Sequence, residues 1–260
     1  MRIDLMMIPT SPVAPSRRIP VPSPLPGDDV LEALESARFG VQYEALVEIS
    51  SGETIAHEAL ARFHRPDGSE LRPGAVFSWL HGAPSLLVET ELALKRLQLD
   101  RAPGSTLFVN LDPDSLACSP DGGDELLALM ASARRDVVVE AIENVGAADV
   151  ERGHAMAAAL RARGLPFALD DVGAAHGLIS FELLAFADYL KFDRSLLATP
   201  RSPRRLAVVE ALVAMAARTG ARTVLEGVET RADLDLARDL GIPIAQGFLF
   251  RDRFVRVRPS

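Results

Sequence analysis

Residues 136–171 read DVVVEAIENVGAADVERGHAMAAALRARGLPFALDD, which is two short apolar runs on either side of a helical stretch. Asp136–Ile142 and Pro166–Asp170 have the length of strands, and Ala147–Arg163 between them has the pattern of a helix. Gly164 follows that helix, where a left-handed C-terminal cap is expected. A strand, a helix and a second strand in this order predict a parallel pair covered by the helix.

The same alternation continues in both directions along the chain. Further apolar runs of strand length are Val41–Ile49, Ile55–Phe63, Thr106–Leu111, Tyr189–Phe192, Thr223–Glu226 and the weaker Ile242–Gln246. Further helical patterns are Ser85–Leu99, Asp124–Arg134, Pro203–Thr219 and Arg231–Leu240. About eight strands over about 230 residues favour an α/β fold with a closed (β/α)8-like barrel. An open doubly wound sheet is the alternative, although no glycine-rich nucleotide motif follows the first strands.

The composition is that of a folded, acidic protein. Of the 260 residues, 48% are hydrophobic and 25% are charged, and the formal net charge is −8. General nucleic-acid binding needs a basic face, so we expect no DNA partner. The chain contains no apolar run of about 18 residues, so no membrane span is predicted. The single cysteine, Cys118, fits a reducing compartment, and we expect a cytoplasmic protein.

The first part of the chain differs from the rest, because residues 1–27 hold seven of the 18 prolines. Such a segment cannot form a regular helix or a central strand. We therefore expect a flexible arm at 1–27 and the barrel domain at 28–260. An untidy terminus is the simpler interpretation of the arm, and a docking segment for a protein partner is the alternative.

Polar or ionisable side chains stand at the C-terminal ends of the predicted strands. They are Glu58, Asn110, Glu140, the pair Asp170 and Asp171, Lys191 with Asp193, Glu226 and Gln246. In a barrel of parallel strands these ends converge on one face, where active sites form. A polar residue at one strand end is ordinary, whereas seven strands in succession indicate a shared site.

The converging carboxylates would repel one another unless protons or cations compensate. Glu58, Asn110, Glu140 and Asp170 supply only oxygen ligands, which suits Mg²⁺ or Mn²⁺. Asp171 could serve a second ion, but strand alternation aims neighbouring side chains at opposite faces. Both aspartates reach one site only if the chain leaves the strand between them. Two metal ions about 4 Å apart would activate a water and hold a phosphate oxygen.

Two further residues complete the predicted chemistry. Lys191 would orient the water and counter the charge that develops on phosphorus, and an ordinary ion pair with Asp193 is the alternative. Glu226 would take the proton of the water.

Seven ordered motifs resemble those of the EAL-domain family of cyclic di-GMP phosphodiesterases. They are HEALARF at 57–63, VNL at 109–111, VEAIE at 139–143, ALDDVG at 168–173, DYLKFDRS at 188–195, LEGVET at 225–230 and QGFLF at 246–250. They keep the family's order and spacing. The resemblance implies a TIM-like barrel whose first strand runs antiparallel to the rest. It also implies hydrolysis of cyclic di-GMP to linear pGpG with Mg²⁺ or Mn²⁺, two ions per site.

By position, the resemblance assigns roles to individual residues. The matches are Glu58, Asn110, Glu140 and Asp170 for metal ligation, Asp171 for the second metal, Lys191 and Glu226 for catalysis, Arg62, Leu60, Gln246 and Glu44 for substrate binding, and Glu143 for bracing the loop after the paired aspartates.

The loop after the paired aspartates departs from the family pattern. Relatives usually read DDFGTGYSS, and residues 170–178 here read DDVGAAHGL. Ala174 lacks the hydroxyl that Glu143 would hold, and Ala175 replaces a glycine, where a positive φ would cost energy. In relatives this loop helps to order the second metal and the dimer contact, so the change bears on rate and on formation of a homodimer.

Two more departures concern the nucleotide. Glu44 replaces a glutamine that contacts a guanine in relatives, and a carboxylate cannot donate as an amide does. The segment His81–Leu86 is shorter and lacks an acidic pair. Three hypotheses therefore remain open: an active phosphodiesterase, a cyclic di-GMP receptor that binds without cleaving, and a protein-interaction barrel that has lost the nucleotide.

Overall fold

The computed structural model describes residues 27–104, 106–142, 147–174, 180–198 and 202–259. Residues 1–26 of the proline-rich segment lie outside these ranges, as do Glu143 and Ala175. In the part of the chain that is described, no helix has both the length and the apolar character needed to cross a membrane.

Ten strands make up the sheet of the described residues. They are β1 (Phe39–Glu48), β2 (Thr54–His64), β3 (Glu70–Leu71), β4 (Thr106–Asn110), β5 (Asp136–Ile142), β6 (Phe167–Val172), β7 (Tyr189–Phe192), β8 (Arg222–Leu225), β9 (Ile244–Gln246) and β10 (Val255–Val257). Each of the eight predicted strands is present, with its ends displaced by two residues at most.

The helices lie between these strands. They are α1 (Gly27–Glu35), α2 (Pro73–Leu80), α3 (Pro84–Arg101), α4 (Pro113–Cys118), α5 (Asp124–Ala131), α6 (Ala147–Ala162), α7 (Phe181–Phe186), α8 (Pro203–Thr219) and α9 (Arg231–Asp239), with 3₁₀ turns at Arg194–Leu197 and Phe248–Arg253. The five predicted helices correspond to α3, α5, α6, α8 and α9. The prediction for α5 runs three residues too far, because the chain turns at Ser132 to enter β5.

The strands close into a barrel, which confirms the predicted fold and excludes the open sheet. The order is β10-β1-β9-β8-β7-β6-β5-β4-β2-β3, and the pairing of β1 with β2 completes a ring of eight. β1 is antiparallel to both of its ring neighbours, β2 and β9, and the other ring neighbours are parallel. The implied antiparallel first strand is thus confirmed. β3 and β10 extend the sheet beyond the ring.

An apolar layer fills the inside of the barrel and sets the direction of the polar strand ends. Its members are Leu46, Ala56, Phe108, Val138, Ala168, Val224 and Ile244, with Tyr189 packed against it. Side chains two positions apart on a strand share a face. Two residues beyond the layer on each parallel strand stand Glu58, Asn110, Glu140, Asp170, Lys191, Glu226 and Gln246. In the antiparallel β1 the same place falls two residues before Leu46, at Glu44.

Candidate active site

Lys191 occupies the centre of the ring of polar side chains. Its Nζ lies 2.6 Å from Glu140 Oε1, 2.8 Å from Glu226 Oε1, 3.0 Å from Asp170 Oδ1 and 3.4 Å from Glu58 Oε2. The lysine side chain is 0% exposed. One ammonium and four carboxylates therefore meet in the barrel mouth. They come from strands β2, β5, β6 and β7 and from the residue after β8.

Asp193, the alternative partner predicted for Lys191, has a different contact. Its Oδ1 accepts a hydrogen bond of 2.9 Å from the backbone N–H of Ser195, so it caps the 3₁₀ turn Arg194–Leu197. The lysine pairs across the barrel instead. The expectation of an ordinary ion pair with Asp193 is wrong because Asp193 lies two residues further along, where the chain already turns away from the strand.

Asp171 reaches the site because β6, which continues to Val172, is irregular at this residue. Its φ is +54°, and the pairing of β6 with β7 shifts between Leu169 and Val172. Positive φ is uncommon outside glycine, although aspartate tolerates it better than most residues. Carboxylate oxygens of Asp170, Asp171 and Glu226 lie within 4.8 Å of one another. The predicted exit from the strand between the two aspartates does not occur, and an irregularity within β6 brings their carboxylates together instead.

A second group of oxygen atoms lies deeper in the barrel. Glu58, Glu140 and Asp170 each offer a carboxylate oxygen within 4.8 Å of the others, and all three are buried. The Lys191 ammonium is the partner of Glu140 Oε1 and Asp170 Oδ1, whereas within the described residues Gln246 Oε1 accepts no hydrogen bond. Buried acceptors without donors are rare and costly, and a cluster made only of oxygen ligands fits Mg²⁺ or Mn²⁺.

Asn110 and Gln246 link the carboxylates of the ring. Asn110 Nδ2 donates to Glu58 Oε1 at 2.9 Å and to Glu140 Oε2 at 3.2 Å. Gln246 Nε2 donates to Glu58 Oε2 at 2.6 Å. A metal ion binds the amide oxygen, so ligation by Asn110 requires its side-chain amide to turn over.

The environment shifts the pKa values of the carboxyl groups in opposite directions. Burial raises the pKa of Glu140 well above its usual value, and the Glu58 charge adds to this effect. Burial, aided by Asp170, likewise raises the pKa of Glu226 well above its usual value. At Glu58 burial also acts upward, but Lys191 and hydrogen bonds outweigh it and lower the pKa.

The paired aspartates and the lysine complete the electrostatics. Burial raises the pKa of Asp170, and burial with the neighbouring Asp170 charge raises the pKa of Asp171 to about 6. Burial acts to lower the pKa of Lys191, but the surrounding carboxylates raise it well above its usual value. Five carboxyl groups thus share one ammonium, and a divalent cation would relieve their repulsion.

The predicted substrate residues lie at the edge of this ring. Glu44 stands opposite Glu58 in the β1–β2 register and accepts a hydrogen bond of 2.8 Å from Gln42 Nε2. Arg62 Nη2 lies 3.7 Å from Glu44 Oε1. A cleft of about 560 Å³ runs from Glu58 and Asp170 past Leu60 and Arg62 to the wall formed by α2 and α3. Arg62 and Leu60 therefore line a space that continues from the predicted metal ligands Glu58 and Asp170.

A stripe of polar residues on α3 lies in the wall of this cleft and was not predicted from the sequence. Glu91, Lys95 and Gln98 are buried, and Lys95 forms an ion pair with Glu91. Glu91 Oε1 accepts from the backbone N–H of Asp112 at 3.2 Å, and Gln98 Nε2 donates to the carbonyl of Ala59 at 3.0 Å. The i, i+4, i+7 spacing of Glu91, Lys95 and Gln98 along α3 was the available signal.

His81 also joins the cleft wall, in the segment that is short in this chain. Its Nε2 lies 2.6 Å from Asp112 Oδ2, and the other carboxylate oxygen of Asp112 caps α4 by accepting from the Asp114 N–H. Asp114 Oδ1 lies 2.8 Å from Arg152 Nε. These contacts join His81, Asp112, Asp114 and Arg152 into one cluster. The cluster therefore has a structural role in holding the cleft wall together.

Comparisons with known proteins agree with this architecture. A family model described as EAL domain matches residues 28–252. The probable cyclic di-GMP phosphodiesterase PdeN of Escherichia coli K12 is 26% identical over 250 residues, which cover 89% of this chain and 47% of PdeN. The cyclic di-GMP phosphodiesterase RocR of Pseudomonas aeruginosa is 27% identical, over 85% of this chain and 59% of RocR. The chain thus spans less than two thirds of each relative.

Solved structures match over most of the chain. The PaMucR phosphodiesterase in complex with cyclic di-GMP superposes with a TM-score of 0.67 at 25% identity, covering 86% of this chain and 94% of that one. The manganese and cyclic di-GMP complex of Klebsiella pneumoniae BlrP1 at pH 9.0 gives a TM-score of 0.65 at 26% identity, over 86% and 62% of the two chains. BlrP1 has also been solved with calcium and cyclic di-GMP, and that structure gives a TM-score of 0.68 at 27% identity, over 82% and 55% of the two chains.

Proposed function

This chain belongs to the EAL domain family, and on that premise we propose that it hydrolyses cyclic di-GMP to linear pGpG, slowly, with Mg²⁺ or Mn²⁺ ions. The observation that carries the proposal is the cluster of carboxylate oxygens around Lys191, in which one ammonium faces four carboxylates. Relatives named as cyclic di-GMP phosphodiesterases support the substrate.

The ligand set divides into two parts. Glu58, Asn110, Glu140 and Asp170 would hold one ion, and Asp171 would serve a second. When bound, the ions would supply an activated water and a Lewis acid for a phosphate oxygen. The excess of carboxylates over the one ammonium in this cluster supports the assignment, because a divalent cation would balance their charge.

Charged side chains of the protein would compensate charge on the phosphate, accept the proton of the water and bind the substrate. Lys191 stays protonated among the carboxylates, so its ammonium can counter the charge that develops on phosphorus. Burial raises the pKa of Glu226 well above its usual value, which makes its carboxylate a stronger proton acceptor. Arg62 can contact a substrate phosphate bidentately, and Leu60 and Gln246 would border the nucleotide.

The slow rate is part of the proposal. Ala174 has no hydroxyl to anchor the loop after the paired aspartates, and Glu44 presents a carboxylate where relatives have an amide. Burial raises the pKa of Glu44, yet its Oε1 already accepts from Gln42. Guanine recognition at this position would therefore be weaker than with glutamine.

The test is turnover of cyclic di-GMP with Mn²⁺ by the full chain, followed as pGpG by chromatography. Glu58→Gln is the matched control, because it keeps the shape of the side chain and removes a ligand charge. We expect pGpG from the unmodified chain and at least about 100-fold less from the variant, since ligand loss removes the ion that does the chemistry. Equal, background-level pGpG from both proteins at several concentrations would rule out hydrolysis.

A receptor that binds cyclic di-GMP without cleaving it is the second candidate, and the altered loop at Ala174 is the observation that favours it. Calorimetry in Ca²⁺ separates binding from turnover. Tight binding in Ca²⁺ with no pGpG in Mn²⁺ would establish the receptor, and no binding in either ion would favour a protein-interaction barrel.

Several broader assignments stay predictions. These are a cytoplasmic location, a homodimer, a protein partner for residues 1–27 and the boundary of the barrel domain at 28–260. Cys118 is a free, exposed cysteine, which agrees with a reducing compartment.

A further inference from the structure

The segment after Asp171 is held by a contact from α8. Arg205 stands in the first turn of that helix, and its Nη2 donates to the carbonyl of Gly173 at 2.5 Å. The same nitrogen donates to Ser195 Oγ at 2.6 Å, and Nη1 donates to the Ser195 carbonyl at 3.2 Å. One guanidinium therefore joins the segment after β6 to the segment after β7.

The Gly173 carbonyl belongs to the turn that begins at Asp171, near the end of β6. The N–H of Ala174 donates to the carbonyl of Asp171 at 3.0 Å, which closes a four-residue turn. Gly173, the third residue of the turn, has a φ of +91°, which glycine adopts at little cost. Arg205 thus donates a hydrogen bond to Gly173, the residue whose positive φ the turn requires.

The other end of the contact is tied to the strand of Lys191. Ser195 lies in the 3₁₀ turn capped by Asp193, four residues after Lys191. The guanidinium is planar and rigid, and its donors keep a fixed spacing. By holding Gly173 and Ser195 at once, Arg205 fixes the distance between the segments that carry Asp171 and Lys191.

We propose that Arg205 is a positioning residue for Asp171. From α8 it anchors the turn after the paired aspartates, which Ala174 cannot do because it has no hydroxyl. It holds the turn so that the Asp171 carboxylate faces Asp170 and Glu226. This inference rests on the proposed function only in the identity of the group that Asp171 receives, a second Mn²⁺ or Mg²⁺ ion. Arg205 itself contacts backbone and Ser195, so its effect passes through the turn.

The experiment compares Arg205→Ala with Arg204→Ala in the full chain. Arg204 is the preceding residue of the same helical turn and is exposed, so it controls for charge and helix effects. Hydrogen exchange of the Ala174 amide measures the turn directly, and calorimetry with Mn²⁺ measures ion affinity. We expect exchange about tenfold faster in Arg205→Ala and Mn²⁺ affinity about 10- to 100-fold weaker, with neither change in Arg204→Ala.

Two further variants separate positioning from charge and from folding. Arg205→Lys keeps the charge but lacks the planar guanidinium that donates to Gly173 and Ser195 at once, so we expect it to behave like Arg205→Ala. If lysine fully restored Mn²⁺ affinity and the slow exchange of the Ala174 amide, the proposal would be overturned. Ser195→Ala removes one anchor and should weaken Mn²⁺ binding about threefold with an unchanged melting temperature in EDTA. It provides the test if Arg205→Ala does not fold, and an unchanged Mn²⁺ affinity would then count against the proposal.

Failure of the role proposed for Arg205 can be distinguished from failure of the proposed hydrolysis of cyclic di-GMP. If the unmodified chain forms no pGpG while Arg205→Ala still loosens the turn and weakens Mn²⁺ binding, hydrolysis is wrong and the role of Arg205 stands. If pGpG forms and Arg205→Ala matches Arg204→Ala in exchange, in Mn²⁺ affinity and in the KM for Mn²⁺, the role of Arg205 is wrong.

Discussion

Lys191 carries a charge that four carboxylates surround, three of them buried, and its removal leaves them without their counter-ion. The lysine side chain has no exposed area, and its nearest carboxylate oxygen is 2.6 Å away. Breaking a buried ionic group by removing one partner costs about 3–5 kcal/mol, because the remaining charge stays desolvated. The stability of the metal-free barrel should therefore depend on this one side chain.

Lys191→Met preserves much of the side-chain length and removes the charge. We expect the free energy of unfolding in EDTA to fall by about 3–5 kcal/mol, measured by urea denaturation. Mn²⁺ should return part of this loss, since an ion can replace the missing positive charge. Lys95→Met is a poor control because Lys95 is also paired, so Arg204→Ala serves instead. A loss below about 1 kcal/mol would show that the carboxylates are already protonated.

The strands and long helices were predictable because their patterns extend over enough residues to be distinctive. Strands β4 to β8 are buried on both faces and therefore appear as continuous apolar runs. The helices α1, α2, α4 and α7, which have six to nine residues, were not predicted. Helix α9 also has nine residues, but Gly241 marks its end in the sequence. The polar ring was predictable by strand position alone.

The contacts within the ring were harder to predict, since they depend on closure of the barrel. The partner of Lys191 could not be read from its neighbours, because Asp193 is close in sequence while Glu140 comes from a different strand. Similarly, the positive φ at Asp171 follows from the turn through Gly173. Arg205 lies 34 residues after Asp171, and nothing in the sequence pattern connects them.

On α3, the buried pair Glu91–Lys95 should behave as a unit. Lys95→Met alone leaves the Glu91 charge buried, and we expect it to lower the free energy of unfolding by about 3 kcal/mol. Glu91→Gln combined with Lys95→Met removes both charges and keeps an acceptor for the Asp112 N–H, so most of the loss should be recovered. Urea denaturation of the two single variants and the double variant measures the coupling. Additive losses would contradict a coupled pair.

At the scale of the whole molecule, the barrel mouth collects acid groups from most strands of the ring, so its protonation should affect unfolding of the entire domain. The pKa of Asp171 is raised from 3.8 to about 6 in the fold. The folded chain therefore holds a proton that the unfolded chain releases between these values. This contribution to stability is present below about pH 4 and is lost as the pH rises through about 6.

Urea midpoints in EDTA from pH 4 to 7 test this dependence. Relative to Asp171→Asn, the unmodified chain should lose stability as the pH rises, because only the unmodified chain must release that proton. Mn²⁺ should reduce the loss, since it binds the ionised carboxylates. Parallel curves for the two proteins in EDTA would mean that Asp171 has an ordinary pKa.

One consequence follows from the two lysines of the chain. Lys95 and Lys191 are its only lysines, and both are buried in ion pairs, so arginine supplies the other side-chain cations. Reagents that acylate primary amines should then modify the native fold only at its terminal amine. Denaturation would expose two more amines, so the number of dye molecules attached per chain would report on unfolding without any engineered label.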